Sequence, residues 1–124
     1  MNSLASRSGL AALCFGVLGA LQTSFAAAVE IREADLANPE FIAAGKKRFA
    51  RSCFYCHGQE GAGGKGAPLQ RRPDLTPDLI FNTISNGRVR GSATMPPWKN
   101  TLSEEEIVQL VAYIVSLRDM PEPK

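Results

Sequence analysis

Ile107, Leu110, Val111, Ile114 and Leu117 recur at steps of three and four, the stripe of a helix that buries one face. Ser103, followed three places on by Glu106, forms a capping box that marks where this helix begins. Upstream, Phe41, Ile42, Gly45 and Phe49 also repeat at helical spacing. Asn38-Pro39-Glu40 precedes them with an N-cap, a proline for the first helical position and an acid for the first turn. A third helix is predicted in TPDLIFNTISNG, where Thr76 caps, Pro77 opens and Gly87 is placed to end it in a left-handed conformation. Nothing alternates with period two, so no sheet is expected and the fold class is all-α. Two long loops separate the helices, HGQEGAGGKGAPLQRRPDL and RVRGSATMPPWKNTL. Connections of that length in a compact domain usually carry function or lack structure.

The amino-terminal stretch breaks this pattern. Arg7, an apolar run from Gly9 to Leu21 and a small-residue exit follow the order of a secretory signal peptide. Cleavage is expected after Ala26 or Ala28, making residues 1–28 a leader and 29–124 one domain. The run is shorter than the ~20 apolar residues of a membrane anchor, so no transmembrane segment is expected in the mature chain. Leu13 is a poor neighbour for lipid attachment at Cys14. Removing 28 of the 124 residues leaves 96, with 13 basic against 12 acidic side chains. A net charge near +1 argues against nucleic acid or an anionic membrane surface as partner.

Export changes the chemistry available. Cys14 leaves with the leader, and the mature chain keeps Cys53, Cys56 and His57 as its only Cys and His, all within CFYCH. Structural zinc wants four Cys or His ligands and finds three. A thioredoxin-like redox pair wants a βαβ setting, and these surroundings are helical. A disulfide between Cys53 and Cys56 closes a very small loop, constrains little and leaves His57 without a task. Cys-x-x-Cys-His is the attachment motif of c-type haem. Two thiols three apart on a helical turn reach two vinyl groups of one porphyrin, and the next residue, His57, lies under the iron as axial ligand. The compartment outside the cytoplasm is where such a motif matures.

An iron held by His57 has a second axial position. The mature methionines are Met95 and Met120, and thioether sulfur is a known partner of histidine at haem iron. Met120 sits in the proline-broken tail RDMPEPK, and Met95 in the proline-stiffened TMPPWKN. The expected ligand is Met95, against the plain alternative that it fills a gap in the apolar packing. GAGGKG at 61–66 fits the G-x-G-x-x-G dinucleotide fingerprint, but no strand precedes it and no acid stands about twenty residues on. It reads as backbone that passes close to a flat ligand.

Taken together, CFYCH, the approach ISNG to MPPW, and the helix LVAYI resemble a small bacterial class I c-type cytochrome over about residues 41–118. The resemblance implies a small helical fold around one covalently attached haem c. It implies that the Pro68 carbonyl of GAPL accepts a hydrogen bond from His57, fixing the imidazole. It further implies that the aromatic of the last helix packs where that helix crosses the first near Gly45, a small residue that allows close approach. Pro97 and the pair Arg71-Arg72 have no clear place in the family pattern; either arginine is open between a haem propionate and solvent.

With both axial positions filled, the iron offers one-electron exchange and no substrate site. The function implied is a soluble periplasmic electron carrier, not an enzyme, between a dehydrogenase or other respiratory donor and an oxidase or other acceptor. Docking to such redox proteins is expected to be transient. Lys65, Arg88, Arg90 and Lys99 are candidates to steer an acidic partner, or ordinary solubilising charges. The alternatives are a cytochrome subunit of a dehydrogenase complex, and an open-site haem enzyme or sensor in which Met95 does not bind. A chain of this size has a modest core, so a bound haem is expected to supply apolar surface for Leu69, Leu79, Ile84, Met95 and Trp98.

Overall fold

Two helices cross at a glycine, and the other elements are arranged around that crossing. The computed structural model describes residues 30–121; the expected leader, its cleavage points and Cys14 lie outside them. The order is α1 (Glu33–Leu36), α2 (Pro39–Ser52), α3 (Phe54–His57), a tight turn at Gln59–Gly61, α4 (Pro77–Asn86), β1 (Arg88–Arg90), β2 (Ala93–Met95) and α5 (Glu104–Arg118).

The predicted caps form as read. Asn38 accepts the Glu40 N–H at 2.9 Å and Pro39 opens α2. Thr76 accepts the Leu79 N–H at 3.2 Å at the start of α4. Both halves of the box on α5 are present: Ser103 N–H donates to the Glu106 carboxylate at 2.8 Å, and Glu106 N–H donates to Ser103 Oγ at 3.2 Å. Three acids in its first turn and Arg118 in its last complement the helix dipole.

The stripe on α5 is the centre of the core. Ile107, Leu110, Val111, Tyr113, Ile114 and Leu117 are buried together with Phe49 of α2 and Ile80 and Ile84 of α4. α2 and α5 make the most extensive contact in the fold. It is that close because residue 45 has no side chain. A Cβ at Gly45 would overlap the Gln109 carbonyl oxygen and stand 2.8 Å from Tyr113 Cβ. The aromatic of α5 therefore packs at the crossing as the resemblance implied, with the Tyr113 and Phe49 rings edge to face at 5.3 Å between centroids.

Two expectations need correction. Residues 88–95 form a two-stranded antiparallel hairpin with Arg88 opposite Met95 and Arg90 opposite Ala93. Strands of three residues are too short to show alternation; the local mark of the hairpin is its two-residue connection Gly91-Ser92, with Gly91 at φ 56°. Gly87 does end α4 with a positive φ of 73°, but its ψ of 178° is extended rather than left-handed helical. The chain leaves α4 straight into β1 in consequence. The fold stays helical, with this hairpin as the one sheet among the described residues.

Gly45→Ala is expected to lower stability by about 2 kcal/mol, because the added methyl meets backbone that cannot yield, despite about 1 kcal/mol of better helix propensity. Denaturant unfolding of the haem-loaded variant measures it, and equal or greater stability would refute the close crossing.

Candidate haem site

The site grows out of the carboxyl end of α2. Cys53 caps that helix, with its N–H donating to the Phe49 carbonyl at 2.9 Å. The chain then winds one further turn: the His57 N–H donates to Cys53 O at 3.0 Å and Gly58 N–H to Phe54 O at 2.8 Å. This turn, α3, places Cys53 and Cys56 three residues apart on one side of a helix. Both thiols are free, Cys56 exposed and Cys53 half-buried against the core.

Residues 58–69 fold back and satisfy the carbonyls that the turn leaves open. Gly66 N–H donates to Cys56 O at 2.8 Å, Gly63 N–H to His57 O at 2.7 Å, and Leu69 N–H to Gly61 O at 2.8 Å. The glycine-rich stretch is thus a strap across the motif. It passes so close to the imidazole that a Cβ at Gly66 would lie 2.9 Å from His57 Cε1 and 3.0 Å from Nδ1. The flat object that the backbone approaches is, in the first instance, the His57 ring.

His57 Nδ1 lies 3.2 Å from the carbonyl oxygen of Ala67. A carbonyl only accepts, so Nδ1 carries the proton and Nε2 is left bare to ligate a metal. The expected partner, Pro68, is corrected by one residue. The Pro68 carbonyl accepts from Arg72 Nη1 at 3.3 Å. A residue before proline favours extended backbone, where successive carbonyls face different sides, so only one of the pair can face the ring. The spacing of GAPL located the segment, and periodicity has no means of choosing between adjacent carbonyls.

Phe49 ties the site to the core. Its ring is 6.4 Å from His57 and packs on Tyr113. Met95, half-buried at the end of β2, packs against the core cluster that Phe49 belongs to, as do Leu69 and Trp98. The Met95 backbone is held at the carboxyl end of α4: a Cβ at Gly87 would stand 2.6 Å from Met95 O. Trp98 N–H donates to Ile84 O at 2.9 Å, fixing the far side of the same loop. Met120 also packs against the cluster from beyond α5. Leu79 is not enclosed by protein; with Phe54, Tyr55 and Val89 it is one of the exposed large apolar residues.

Burial pushes the Cys53 thiol up to about 11, the neighbouring Cys56 adds to the rise, and Arg48 opposes it. The two loop arginines are both engaged by protein. Arg72 grips Asp74 through two hydrogen bonds at 2.7 and 2.6 Å, and Arg71 donates to the Pro121 carbonyl at 3.3 Å. Lys65 donates to the Tyr55 hydroxyl at 2.6 Å with its ammonium 4.1 Å from the ring centroid. Lys99 donates to the Asn86 side chain at 3.1 Å, and Arg88 and Arg90 stand on the exposed hairpin.

The chemistry of this donor set fits haem c: two free thiols on one turn, a histidine whose other nitrogen is already tied, and apolar side chains left uncovered nearby. Residues 40–114 match the family model for cytochrome c oxidase, cbb3-type, subunit III. The chain belongs to that family. Its fold is that of the class I c-type cytochromes, its cofactor is covalently bound haem c, and its business is electron transfer. It is 35% identical over 101 residues to the cbb3-type oxidase subunit FixP of Sinorhizobium medicae, covering 69% of this chain and 35% of that protein. It is 37% identical over 94 residues to the subunit CcoP of Rubrivivax gelatinosus, covering 72% of this chain and 30% of that one. This cytochrome therefore spans about a third of the length of the curated relatives it matches. Among solved structures it is similar to cytochrome cL of Methylophaga aminisulfidivorans, with 30% identity and a TM-score of 0.56 over 65% of this chain and 57% of that one.

Removal of both thiols by Cys53→Ala/Cys56→Ala is expected to leave a haem-free, largely unfolded polypeptide, because the loops around the site lose the surface they pack on. Far-ultraviolet dichroism checks this, and full native helicity in that variant would contradict it.

Proposed function

We propose that this cytochrome is a soluble periplasmic one-electron carrier with Cys53 and Cys56 as thioether anchors and His57 and Met95 as axial ligands. The observation that carries the reading is the His57 ring, whose Nδ1 is held by the Ala67 carbonyl 3.2 Å away and whose Nε2 is left for iron. When bound, haem supplies an iron that cycles between Fe(II) and Fe(III). The protein's part would be to hold that iron still: Cys53 and Cys56 would fasten the porphyrin, the strap at residues 58–69 holds the imidazole, and the Met95 sulfur would be the second ligand. Thioether ligation favours the reduced state relative to two nitrogen ligands, and a closed iron leaves no place for substrate.

Localisation in the periplasm follows from the expected leader and from the maturation chemistry of the motif. No helix among the described residues is long and apolar enough to cross a membrane. Arg88 and Arg90 on the hairpin, with Lys65 and Lys99, form the basic rim to which an acidic redox partner docks briefly. A donor dehydrogenase on one side and a respiratory oxidase on the other fit a carrier of this ligation.

A second reading is favoured by the relatives: FixP and CcoP are named as oxidase subunits, and a match of 30% over 81 residues is a quinohemoprotein alcohol dehydrogenase of Pseudomonas putida. Under it the chain works as the cytochrome subunit of such a complex. Gel filtration of a native periplasmic extract separates the two, the free carrier eluting at the size of its own small chain.

The ferric spectrum tests the ligation. Parent protein and Met120→Ala are expected to show the long-wavelength sulfur-to-iron charge-transfer band, and Met95→Ala to lose it while binding cyanide faster. A band that survives Met95→Ala would refute the assignment and open the enzyme or sensor reading. Electron transfer to an acidic partner is expected to slow as salt rises, by roughly tenfold between low and physiological ionic strength. Stopped-flow rates indifferent to salt would remove the basic rim from the account.

A further inference from the structure

From Met95 to Lys99, every residue of the proline-stiffened loop meets the carboxyl end of α4. A Cβ at Gly87 would stand 2.6 Å from Met95 O, 3.0 Å from Pro96 C and 2.9 Å from Pro97 N. Further along, the contact passes to hydrogen bonds: Trp98 N–H donates to Ile84 O at 2.9 Å and Lys99 N–H to Ser85 O at 3.3 Å. The composition of the loop explains the change. Pro96 and Pro97 have no N–H, so this half of the loop cannot donate to the open carbonyls of α4 and is held by close packing instead. Packing at that distance demands glycine at 87 twice over. No Cβ fits there, and a φ of 73° with a ψ of 178° is backbone that a side chain disfavours. Pro97, which has no clear place in the family pattern, gains one here. Each proline fixes its own φ and restricts the residue before it to extended backbone, so the placement of the chain at Gly87 is passed back to Met95 with little slack.

We propose that Gly87 is the positioning residue of the sixth ligand: by admitting the Met95–Pro97 backbone against the end of α4, it keeps the Met95 sulfur at the iron and that position shut to small exogenous ligands. The inference rests on the Met95 ligation proposed above and concerns what holds it in place. The closed and open states differ in where the loop lies. With the sulfur in place, residues 95–97 lie against Gly87; with it withdrawn, they are free to draw away. A methyl group at 87 therefore meets backbone in the closed state alone, and the balance between the states moves by that difference.

The test is the rate of cyanide binding to ferric, haem-loaded protein, read beside the sulfur-to-iron charge-transfer band. Gly87→Ala is expected to bind cyanide roughly tenfold faster and to weaken the band. Pro97→Ala leaves Gly87 in place and gives the loop back a free φ, so it is expected to speed binding by roughly threefold. It also keeps the inference testable where Gly87→Ala does not fold. Asn38→Ala removes the cap of α2, which costs stability away from this loop, and is expected to stay within about twofold of the parent. Rates within about twofold of the parent in the loop variants that load haem would overturn the inference. An equal rise in Asn38→Ala would overturn it too, because that marks a general loosening. Met95→Ala separates the brace from the ligation itself. A band and a rate that Met95→Ala leaves unchanged overturn both, whereas an open site in Met95→Ala with unmoved loop variants overturns the brace alone.

Discussion

The absence of a side chain at Gly45 is the constraint that the rest of this cytochrome depends on. It brings α2 against the backbone of α5 at Gln109 and Tyr113, and it does so two turns before the helix delivers Cys53. Every later element takes its position from that contact. Phe49, one turn on, packs on both Tyr113 and His57, so the imidazole is registered against the core through an aromatic ring. Covalent attachment then adds a bound group to a turn whose place is already decided by helix packing.

The second layer of order is made by backbone rather than side chains. A helical turn ending at His57 leaves carbonyls exposed, and the strap at residues 58–69 supplies N–H groups to those of Cys56 and His57. The same strap turns the Ala67 carbonyl to the imidazole. Satisfying the polar groups of the turn and selecting the histidine tautomer are thus one act of folding. Glycine at 66 is what permits it, since any larger residue would stand against the ring.

Helix starts and the buried stripe were legible in the sequence because each rests on local chemistry: a cap, a proline, an apolar residue every three or four places. CFYCH was legible for the same reason, its whole meaning lying within five residues. What escaped depended on partners distant in the chain. The hairpin of residues 88–95 pairs strands too short to advertise a period. The carbonyl facing His57 belongs to Ala67 and not Pro68 because of how the strap turns, a property of backbone direction that residue names do not encode. Arg48 and Glu106 lie 58 positions apart and meet only because the helices cross where they do. Leu79, expected to pack on a haem, is exposed in the protein alone, which agrees with a surface that packing within the chain does not complete.

The hairpin also joins two properties that the sequence kept apart. Directly paired residues in an antiparallel ladder project to the same face, so Arg88 and Met95 share one side of the ribbon while Val89 and Thr94 share the other. On the proposed ligation and docking, the cation across the ladder from Met95 is one that would meet the partner. A partner's acidic group that draws on Arg88 would then pull on the same short ribbon that carries Met95, and the ribbon is braced at that same end by the tight approach of Gly87 to Met95 O. Bracing of that kind would let a charged surface be engaged and released without moving the sulfur, as the proposed carrier role requires.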